Sequence, residues 1–177
     1  MSVEPIKILT LDPSGAYNEG KGTTGYSVWY LNKLSKGYYL SKTGNVKAED
    51  YANQNAYFNA NIELIKEINP DVVVMEDFTL YANKAMQQIG STMETPQLIG
   101  IIKYYCAEND IELVIQRAVD VKNRWSDKIL VYKGVITRDT RGYCRDANGN
   151  RISRHAKDAI RHGMHYITKQ IKEINLW

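Results

Sequence analysis

A short, wholly apolar run limits what this chain can fold into more than any other feature. Residues 72–75 read Val-Val-Val-Met, between Asp71 and Glu76. An apolar run without polar alternation suits a central strand that is covered on both faces. The preceding segment, Lys47–Ile68, has apolar residues spaced by threes and fours and ends at Asn69-Pro70, which predicts a helix. The sequence therefore predicts an α/β fold.

The flanking segments extend this pattern. Three β-branched and apolar runs precede it, at Ile6–Leu11, Gly25–Leu31 and Tyr38–Ser41, and predict an antiparallel meander. Three antiparallel strands followed by parallel crossovers describe the RNase H-like arrangement, a five-stranded mixed sheet flanked by helices. The later elements are predicted as a helix in two pieces over 83–107, a strand at Ile111–Gln116, a helix at Val119–Tyr132, a polar loop or hairpin at Lys133–Ile152 with an Asn148-Gly149 turn, and a helix at Ser153–Ile174 capped by Ser153.

Length and composition fit one domain over residues 1–177. Hydrophobic residues make up 44% of the chain, and no internal repeat occurs. The first residues lack a basic region followed by an apolar stretch, and no run of transmembrane length occurs. Cys106 and Cys144 show no pairing pattern. We therefore expect a soluble cytoplasmic protein with free thiols and no membrane partner.

Charge is segregated along the chain. Residues 1–116 carry nine Lys and Arg against fourteen Asp and Glu, a balance of −5. Residues 117–161 carry twelve basic residues against five Asp, a balance of +7. A basic segment of this size suits a polyanion such as DNA if it is exposed on one side. The alternative is a solvated surface that is kept basic for solubility.

Two acidic residues follow predicted central strands. Asp12 comes directly after the first strand, and Glu76 follows the Val-Val-Val-Met run. Carboxylates at the ends of adjacent buried strands lie close together and repel one another unless cations neutralise them. Taken singly, Asp12 in an Asp-Pro turn or Glu76 at a strand end has an ordinary structural explanation. Together they predict a cation site.

The terminal helix supplies a third set of polar side chains. At 100° per residue, His155, Asp158, His162 and His165 fall within an arc of about 80°. The opposite stripe is apolar and consists of Ala156, Ile160, Gly163, Ile167 and Ile171. We expect the apolar stripe to pack and the other face to present ligand-type groups. The alternative is a solvated polar face.

Three motifs, in this order, resemble the RuvC-type Holliday junction resolvases, particularly their phage-encoded relatives. Asp12-Pro13 with the later Thr24-Gly25-Tyr26-Ser27-Val28 resembles the family's opening strand, turn and strand. Met75-Glu76-Asp77-Phe78 resembles its second acidic strand end. His155-Ala156-Lys157-Asp158-Ala159 resembles its terminal acidic helix. The resemblance covers about residues 6 to 167.

The resemblance implies the RNase H-like fold, two Mg²⁺ ions for which Mn²⁺ substitutes, and hydrolysis of branched DNA by a homodimer. Asp12 would bridge both ions, Glu76 would hold one, and Asp158 with His155 would hold the other. The expected products are a 5′ phosphate and a 3′ hydroxyl. His155 stands where many relatives have Asp, so three alternatives are open for it: a metal ligand, a proton-transfer group, or a histidine with no catalytic part.

Two departures from the family concern the substrate. The loop between Asp12 and Thr24 is longer than usual, and Lys133–Ile152 looks like an added segment, which we expect to be a mobile basic arm with little apolar patterning. Aromatic residues after Glu76 are candidates for stacking on an unpaired base, with core packing as the alternative. The predicted DNA-binding residues are Lys21, Phe78, Tyr81, Lys122, Arg124, Arg138, Arg141, Arg145, Arg151 and Arg154.

The long loop also suggests a competing function. Residues 15–21 match a phosphate-binding loop up to the last position, where Gly22 replaces Ser or Thr. Such a loop must open into a helix, whereas residues 23–31 continue as a β-branched and aromatic strand. We therefore expect the loop glycines to approach a DNA backbone, with Lys21 near a phosphate.

Two functions from different classes remain open. The first is a metal-dependent, structure-selective DNA endonuclease that resolves Holliday junctions or other branched DNA. The second is a non-catalytic module that binds branched DNA with the same fold and basic surface. Acids at all three motif positions, Asp12, Glu76 and Asp158, favour the nuclease.

Overall fold

The computed structural model describes residues 4–18, 20, 22–79 and 92–174. The strands of its main sheet lie in the order β3-β2-β1-β4-β5. β2 pairs antiparallel with β1 and β3, whereas β4 pairs parallel with β1 and β5. The predicted mixed sheet is therefore confirmed. Its strands are β1 (Ile6–Asp12), β2 (Thr23–Leu31), β3 (Tyr38–Lys47), β4 (Val72–Glu76) and β5 (Glu112–Gln116).

β4 is covered on both faces, as its apolar run predicts. Successive side chains of a strand point to opposite faces of the sheet. Val73 and Met75 are buried in one hydrophobic cluster, and Val72 and Val74 are buried in another. The sheet is thus the middle layer between two cores.

Two helices cover the Val73 face, α1 (Gln54–Ile68) and α2 (Glu94–Glu108). The predicted start of α1 at Lys47 is wrong, because the Asn53 side chain caps the helix by accepting a hydrogen bond from the Ala56 N–H. Helix α2 corresponds to the second predicted piece of 83–107. The first piece lies almost entirely outside the described residues.

The other face carries three helices, α3 (Ala118–Lys122), α4 (Asp127–Tyr132) and α5 (Arg154–Ile174). The predicted continuous helix over Val119–Tyr132 is wrong. The chain turns at 123–126 because Trp125 is buried and Ser126 caps a new helix by accepting from the Ile129 N–H. No helix in the described ranges is long and apolar enough to cross a membrane.

Helix α5 packs directly on the centre of the sheet. Ser153 caps it as predicted, with its Oγ accepting from the Ala156 N–H at 3.1 Å. The Thr10 hydroxyl of β1 donates to the Ala159 carbonyl at 2.8 Å, which ties the helix to the strand. A Cβ on Gly163 would lie 2.2 Å from the Trp29 indole nitrogen, so only glycine permits this close contact.

Residues 133–152 form a hairpin rather than an unanchored arm. Strands β6 (Thr137–Arg138) and β7 (Cys144–Arg145) pair antiparallel, and the predicted Asn148-Gly149 turn is present, with Gly149 at φ +80°. Although the segment has little apolar patterning, Ile136, Cys144 and Ile152 are buried in the core beneath α5, and its expected mobility stays a prediction. Cys144, like Cys106, is a free thiol, as predicted.

Candidate active site

The alternation of the two central strands places their carboxylates. In β1, Ile8, Thr10 and Asp12 share one face of the sheet, and Ile8 and Thr10 meet α5 and its core. In β4, Val74 and Glu76 share that face in the same way. Because β1 and β4 are adjacent and parallel, both acids lie at the same sheet edge under α5.

Asp12 is paired with His155. Its Oδ2 lies 2.7 Å from the His155 Nδ1, and the residue is only 8% exposed. The contact depends on Gly25, which faces Asp12 in β2. A Cβ on Gly25 would lie 2.0 Å from the His155 carbonyl carbon, so this glycine lets the first turn of α5 descend onto the sheet. His155 therefore contacts Asp12, whereas the family resemblance implies that it holds a metal ion together with Asp158.

Glu76 is held by His162, which belongs to the predicted ligand-type face of the terminal helix but is not among the predicted catalytic or metal-binding residues. His162 is fully buried, and its Nε2 lies 3.0 Å from the Glu76 Oε2. The other ring nitrogen, Nδ1, lies 2.8 Å from Oε1 of Gln116, the residue that faces Glu76 across β4 and β5. Both ring nitrogens are thus engaged, and the imidazole fixes the Glu76 carboxylate.

Lys122 lies between two of the carboxylates. Its Nζ is 3.4 Å from the Glu76 Oε2 and 3.6 Å from the Asp158 Oδ2. The ammonium group therefore lies between two acids, and its predicted role in DNA binding stays a prediction. We use the term acid cluster for Asp12, Glu76 and Asp158.

Asp158 is buried on α5, where Arg161 contacts its Oδ1. The other terminal nitrogen of Arg161 donates to the Asp127 Oδ1 at 2.6 Å, and Lys157 donates to the Asp127 Oδ2 at 2.7 Å. Arg161 thus links the acid cluster to Asp127. The predicted polar face of α5 is turned into the site, where His155, Asp158 and His162 contact acids of the sheet or Lys122, and its alternative, a solvated polar face, is wrong because Asp158 and His162 are buried.

The electrostatics show that the three carboxylates affect one another. Burial raises the pKa of Asp12, the charges of Glu76 and Asp158 raise it further, and the His155 hydrogen bond only partly opposes this. Burial also acts to raise the pKa of Glu76, but the His162 hydrogen bond and the Lys122 charge outweigh it, so that pKa is lowered.

The pKa values of two basic partners of the acid cluster, His155 and Lys122, are both raised. The hydrogen bond to Asp12 raises the pKa of His155 in spite of partial burial. Burial acts to lower the pKa of Lys122, but the charges of Asp158, Glu76 and Asp12 raise it on balance. The charges of the acid cluster therefore stabilise the protonated form of Lys122.

The donor set suits a hard divalent cation. Asp12 and Asp158 are buried, Glu76 is partly buried, and all three supply oxygen atoms of the kind that Mg²⁺ prefers as ligands. Within the described ranges, no three His, Cys, Asp or Glu side chains lie close enough together to hold an ion. The carboxylates instead contact Lys122, Arg161 and the two histidines.

A cleft of about 130 Å³ opens beside the two strand-end acids. Asp12, Glu76, Asp77 and Phe78 line it together with residues of α2. Phe78 also packs against the core of the α1 and α2 face. The acid cluster is therefore reachable from one side, past Phe78.

The predicted DNA-binding residues other than Phe78 and Lys122 separate into three groups. Lys21 and Tyr81 lie outside the described residues. Two arginines are paired, Arg138 with Asp127 at 3.7 Å and Arg145 with Asp139 at 2.7 Å. The exposed arginines without a carboxylate partner in the described ranges are Arg124, Arg141, Arg151 and Arg154.

The glycine-rich loop has a structural explanation. It leads into β2 rather than a helix, so the phosphate-loop alternative is wrong. Gly15 does not face outward, because a Cβ there would lie 2.2 Å from the Glu94 carbonyl oxygen of α2, and its N–H donates to Thr95 at 2.9 Å. The Gly15 part of the loop is thus docked on α2.

Comparison with known proteins supports the fold. No protein-family model matches the sequence, and no curated protein matches it. Among solved structures, RuvC of T. thermophilus in complex with a Holliday junction substrate has a TM-score of 0.62, with 16% identity over 94% of this chain and 96% of that one.

Two further resolvases have the same fold. The fowlpox virus resolvase in complex with Holliday junction DNA has a TM-score of 0.53, with 11% identity over 93% of this chain and 98% of that one. The yeast mitochondrial Holliday junction resolvase has a TM-score of 0.55, with 15% identity over 94% and 80%. The chain has the RuvC-type, RNase H-like fold. Its assignment to a phage-encoded branch stays a prediction.

Proposed function

We propose that this chain is a metal-dependent, structure-selective endonuclease that cleaves Holliday junctions or other branched DNA. The observation that carries the proposal is the placement of Asp12 and Glu76 at the ends of adjacent strands, with Asp158 of α5 near enough that the charges of all three act on Lys122. The fold similarity to resolvases supports it, since two of those structures contain Holliday junction DNA. A homodimer is part of the proposal and rests on the family resemblance.

Asp12, Glu76 and Asp158 are the proposed ligands of two Mg²⁺ ions, with Mn²⁺ as a substitute. When bound, a pair of such ions would supply an activated water and charge stabilisation for the leaving 3′ oxygen, and the products would be a 5′ phosphate and a 3′ hydroxyl. His155 orients the Asp12 carboxylate, and His162 orients that of Glu76. Lys122 neutralises Glu76 and Asp158 in the metal-free protein and stays close to the phosphate that enters.

One observation favours the non-catalytic alternative, a module that binds branched DNA. Each acid already has a basic or imidazole partner, so the fold is electrostatically satisfied without a metal. In that case the acid cluster would be a structural network. The two functions differ in whether a bound junction is nicked.

The test is cleavage of a labelled four-way junction, beside a duplex, a flap and a fork built from the same strands. We expect Mg²⁺-dependent nicking of the junction in preference to the duplex, with none in EDTA. Glu76→Gln should lose nicking, while the matched control Glu67→Gln, a surface residue paired with Lys42, should retain it. Tight junction binding without nicking in Mg²⁺ or Mn²⁺ would support the binding module instead.

A further inference from the structure

The hairpin encloses a second cleft that lies outside the acid cluster. It has a volume of about 460 Å³ and runs between the hairpin residues Tyr143 and Arg151 and the first turn of α5, where Arg154 and Lys157 project. Asp127 also lines it, so three basic residues face one acidic residue. Its size lies within the range of roughly 300–1,000 Å³ that is typical of small-molecule sites. We call it the hairpin cleft.

The charged groups of this cleft differ in whether another side chain already neutralises them. Asp127 and Lys157 neutralise each other at 2.7 Å, and Arg161 and Arg138 also contact Asp127. In the part of the chain that the structure describes, Arg151 and Arg154 have no carboxylate within ion-pair distance, and both are exposed. The cleft therefore offers two guanidinium groups to an anion from outside, whereas its carboxylate is already saturated.

The cleft also has a planar aromatic surface. The Arg151 guanidinium lies over the Tyr143 ring, 3.8 Å from its centroid, and Tyr143 remains 41% exposed. Arginine planes and tyrosine rings are the groups on which unpaired bases stack. A guanidinium for a phosphate and a flat surface for a base are the two parts of a nucleotide-binding site.

The hairpin is anchored so that these groups hold their positions. The Ile152 N–H donates to the Cys144 carbonyl at 2.9 Å, and both side chains are buried. The Ser153 hydroxyl donates to the Asn45 Oδ1 of β3 at 2.6 Å. The two walls of the cleft are therefore tied both to each other and to the main sheet.

The cleft adjoins the acid cluster. Arg161 contacts Asp158 of the cluster and Asp127 of the cleft with its two terminal nitrogens. Arg154 precedes His155, which contacts Asp12. A DNA strand that enters the acid cluster therefore has the cleft immediately beside it.

We propose that the hairpin cleft binds one nucleotide of the DNA strand that leads into the acid cluster. Arg154 contacts its phosphate, and its base stacks on the Tyr143–Arg151 pair. The inference rests on the proposed function for the identity of the strand, but it concerns binding and not cleavage. An unpaired strand at a branch point supplies such a base more readily than a continuous duplex does.

The test measures binding in EDTA, so that nicking does not enter. The probes are a fluorescein-labelled oligothymidine and a labelled four-way junction, each titrated at several salt concentrations. Arg154→Gln should flatten the salt dependence of binding to the single strand by about 0.7 in slope, the effect of one phosphate contact. The matched control Lys103→Gln removes one exposed charge from α2 and should leave the slope unchanged.

Loss of the stacking surface should change the affinity for the single strand but not its salt dependence. Tyr143→Leu should weaken oligothymidine binding about tenfold without changing the salt slope, while Tyr143→Phe should bind like the wild type. Circular dichroism and thermal melting of both variants establish that the hairpin stays folded. Wild-type affinity of folded Tyr143→Leu, or equal slopes for Arg154→Gln and Lys103→Gln, would overturn the proposal.

Free nucleotides form the last arm. Thymidine monophosphate should compete with oligothymidine only weakly, because a single nucleotide lacks the rest of the strand. Equal affinity for the two would make the cleft a mononucleotide site and overturn its assignment to DNA. If the wild type nicks the junction and the cleft variants bind DNA as tightly as the wild type, only the proposal for the hairpin cleft fails. If the cleft variants bind DNA more weakly but the wild type does not nick the junction, only the proposed nuclease function fails.

Discussion

The acid cluster and the hairpin cleft concentrate charge in opposite ways. In the acid cluster, the carboxylates are buried or partly buried, and partners from α3 and α5 contact each one. In the hairpin cleft, Arg151 and Arg154 are exposed and free of carboxylates within the described ranges. If the proposed function holds, chemistry and DNA affinity reside in separate structures, one set by the core and the other by a surface hairpin. Variants of one region should therefore spare the other.

The largest expected effect is on the chemistry of the acid cluster. Asp12→Asn, Glu76→Gln and Asp158→Asn should each slow junction nicking by more than about 100-fold, since even the loss of an outer partner of a metal ligand costs about 10–100-fold. Junction affinity in EDTA should change little, because Arg151 and Arg154 are untouched. Gel-shift and single-turnover assays check both parts, with Asp50→Asn as the surface control. Near-normal turnover in any of the three removes that residue from the site.

His162 provides a sharper test, because it contacts an acid without being one. His162→Leu should reduce both nicking and Mn²⁺ affinity by about 10–100-fold, since Glu76 loses the group that orients it. His162→Gln retains a donor toward Glu76 and should recover part of both. Isothermal titration with Mn²⁺ gives the affinity, and thermal melting separates it from unfolding. If both variants bind Mn²⁺ like the wild type, His162 serves only the core.

Lys122 is the basic residue that belongs to the acidic region. Lys122→Met should lower the free energy of unfolding in EDTA by about 1 kcal/mol, because Glu76 and Asp158 lose a half-exposed partner. Mg²⁺ should then raise the melting temperature of the variant more than that of the wild type, because it no longer competes with the ammonium group. Exposed Lys128→Met is the control. An unchanged or higher stability in EDTA contradicts this role.

The smallest expected effect is a pH dependence of protein stability that arises from the His155–Asp12 pair. Because Asp12 raises the pKa of His155, the stability that this pair contributes is fully present below the unfolded value of 6.5. It is lost as pH rises through the folded-state pKa, and it should amount to less than about 1 kcal/mol. An NMR titration of the His155 ring in EDTA measures the pKa, and Asp12→Asn should lower it. The same pKa in both proteins would contradict the pairing.

Much of the fold was predictable because the relevant signals are local. Alternation and apolar runs locate the five strands, and the ends of β1 and β4 then place Asp12 and Glu76 at one edge. The Ser153 cap and the Asn148-Gly149 turn are likewise local. Ser126 was also a local signal, and it could have revealed the start of α4 within the predicted helix.

The remaining features of the site could not be predicted, because they depend on which helices and strands pack against one another. His162 is buried because α5 lies over β4 and β5. The helical periodicity of α5 does not predict which strands the helix covers. Lys122 looks like any basic residue until α3 brings it to Glu76. Cys144 and Ile152 are isolated in a polar segment, and only the folded hairpin turns them into an anchor.

The central claim is that the acid cluster cleaves DNA with the help of a divalent metal ion. The most direct measurement follows a 5′-labelled four-way junction under single turnover in Mg²⁺ and in EDTA, and then treats the nicked product with DNA ligase. We expect nicking in Mg²⁺ and none in EDTA, products that ligase reseals, and no nicking by Asp158→Asn. Nicking that persists in EDTA or in Asp158→Asn, or a bound junction that stays intact in Mg²⁺ and in Mn²⁺, would contradict it.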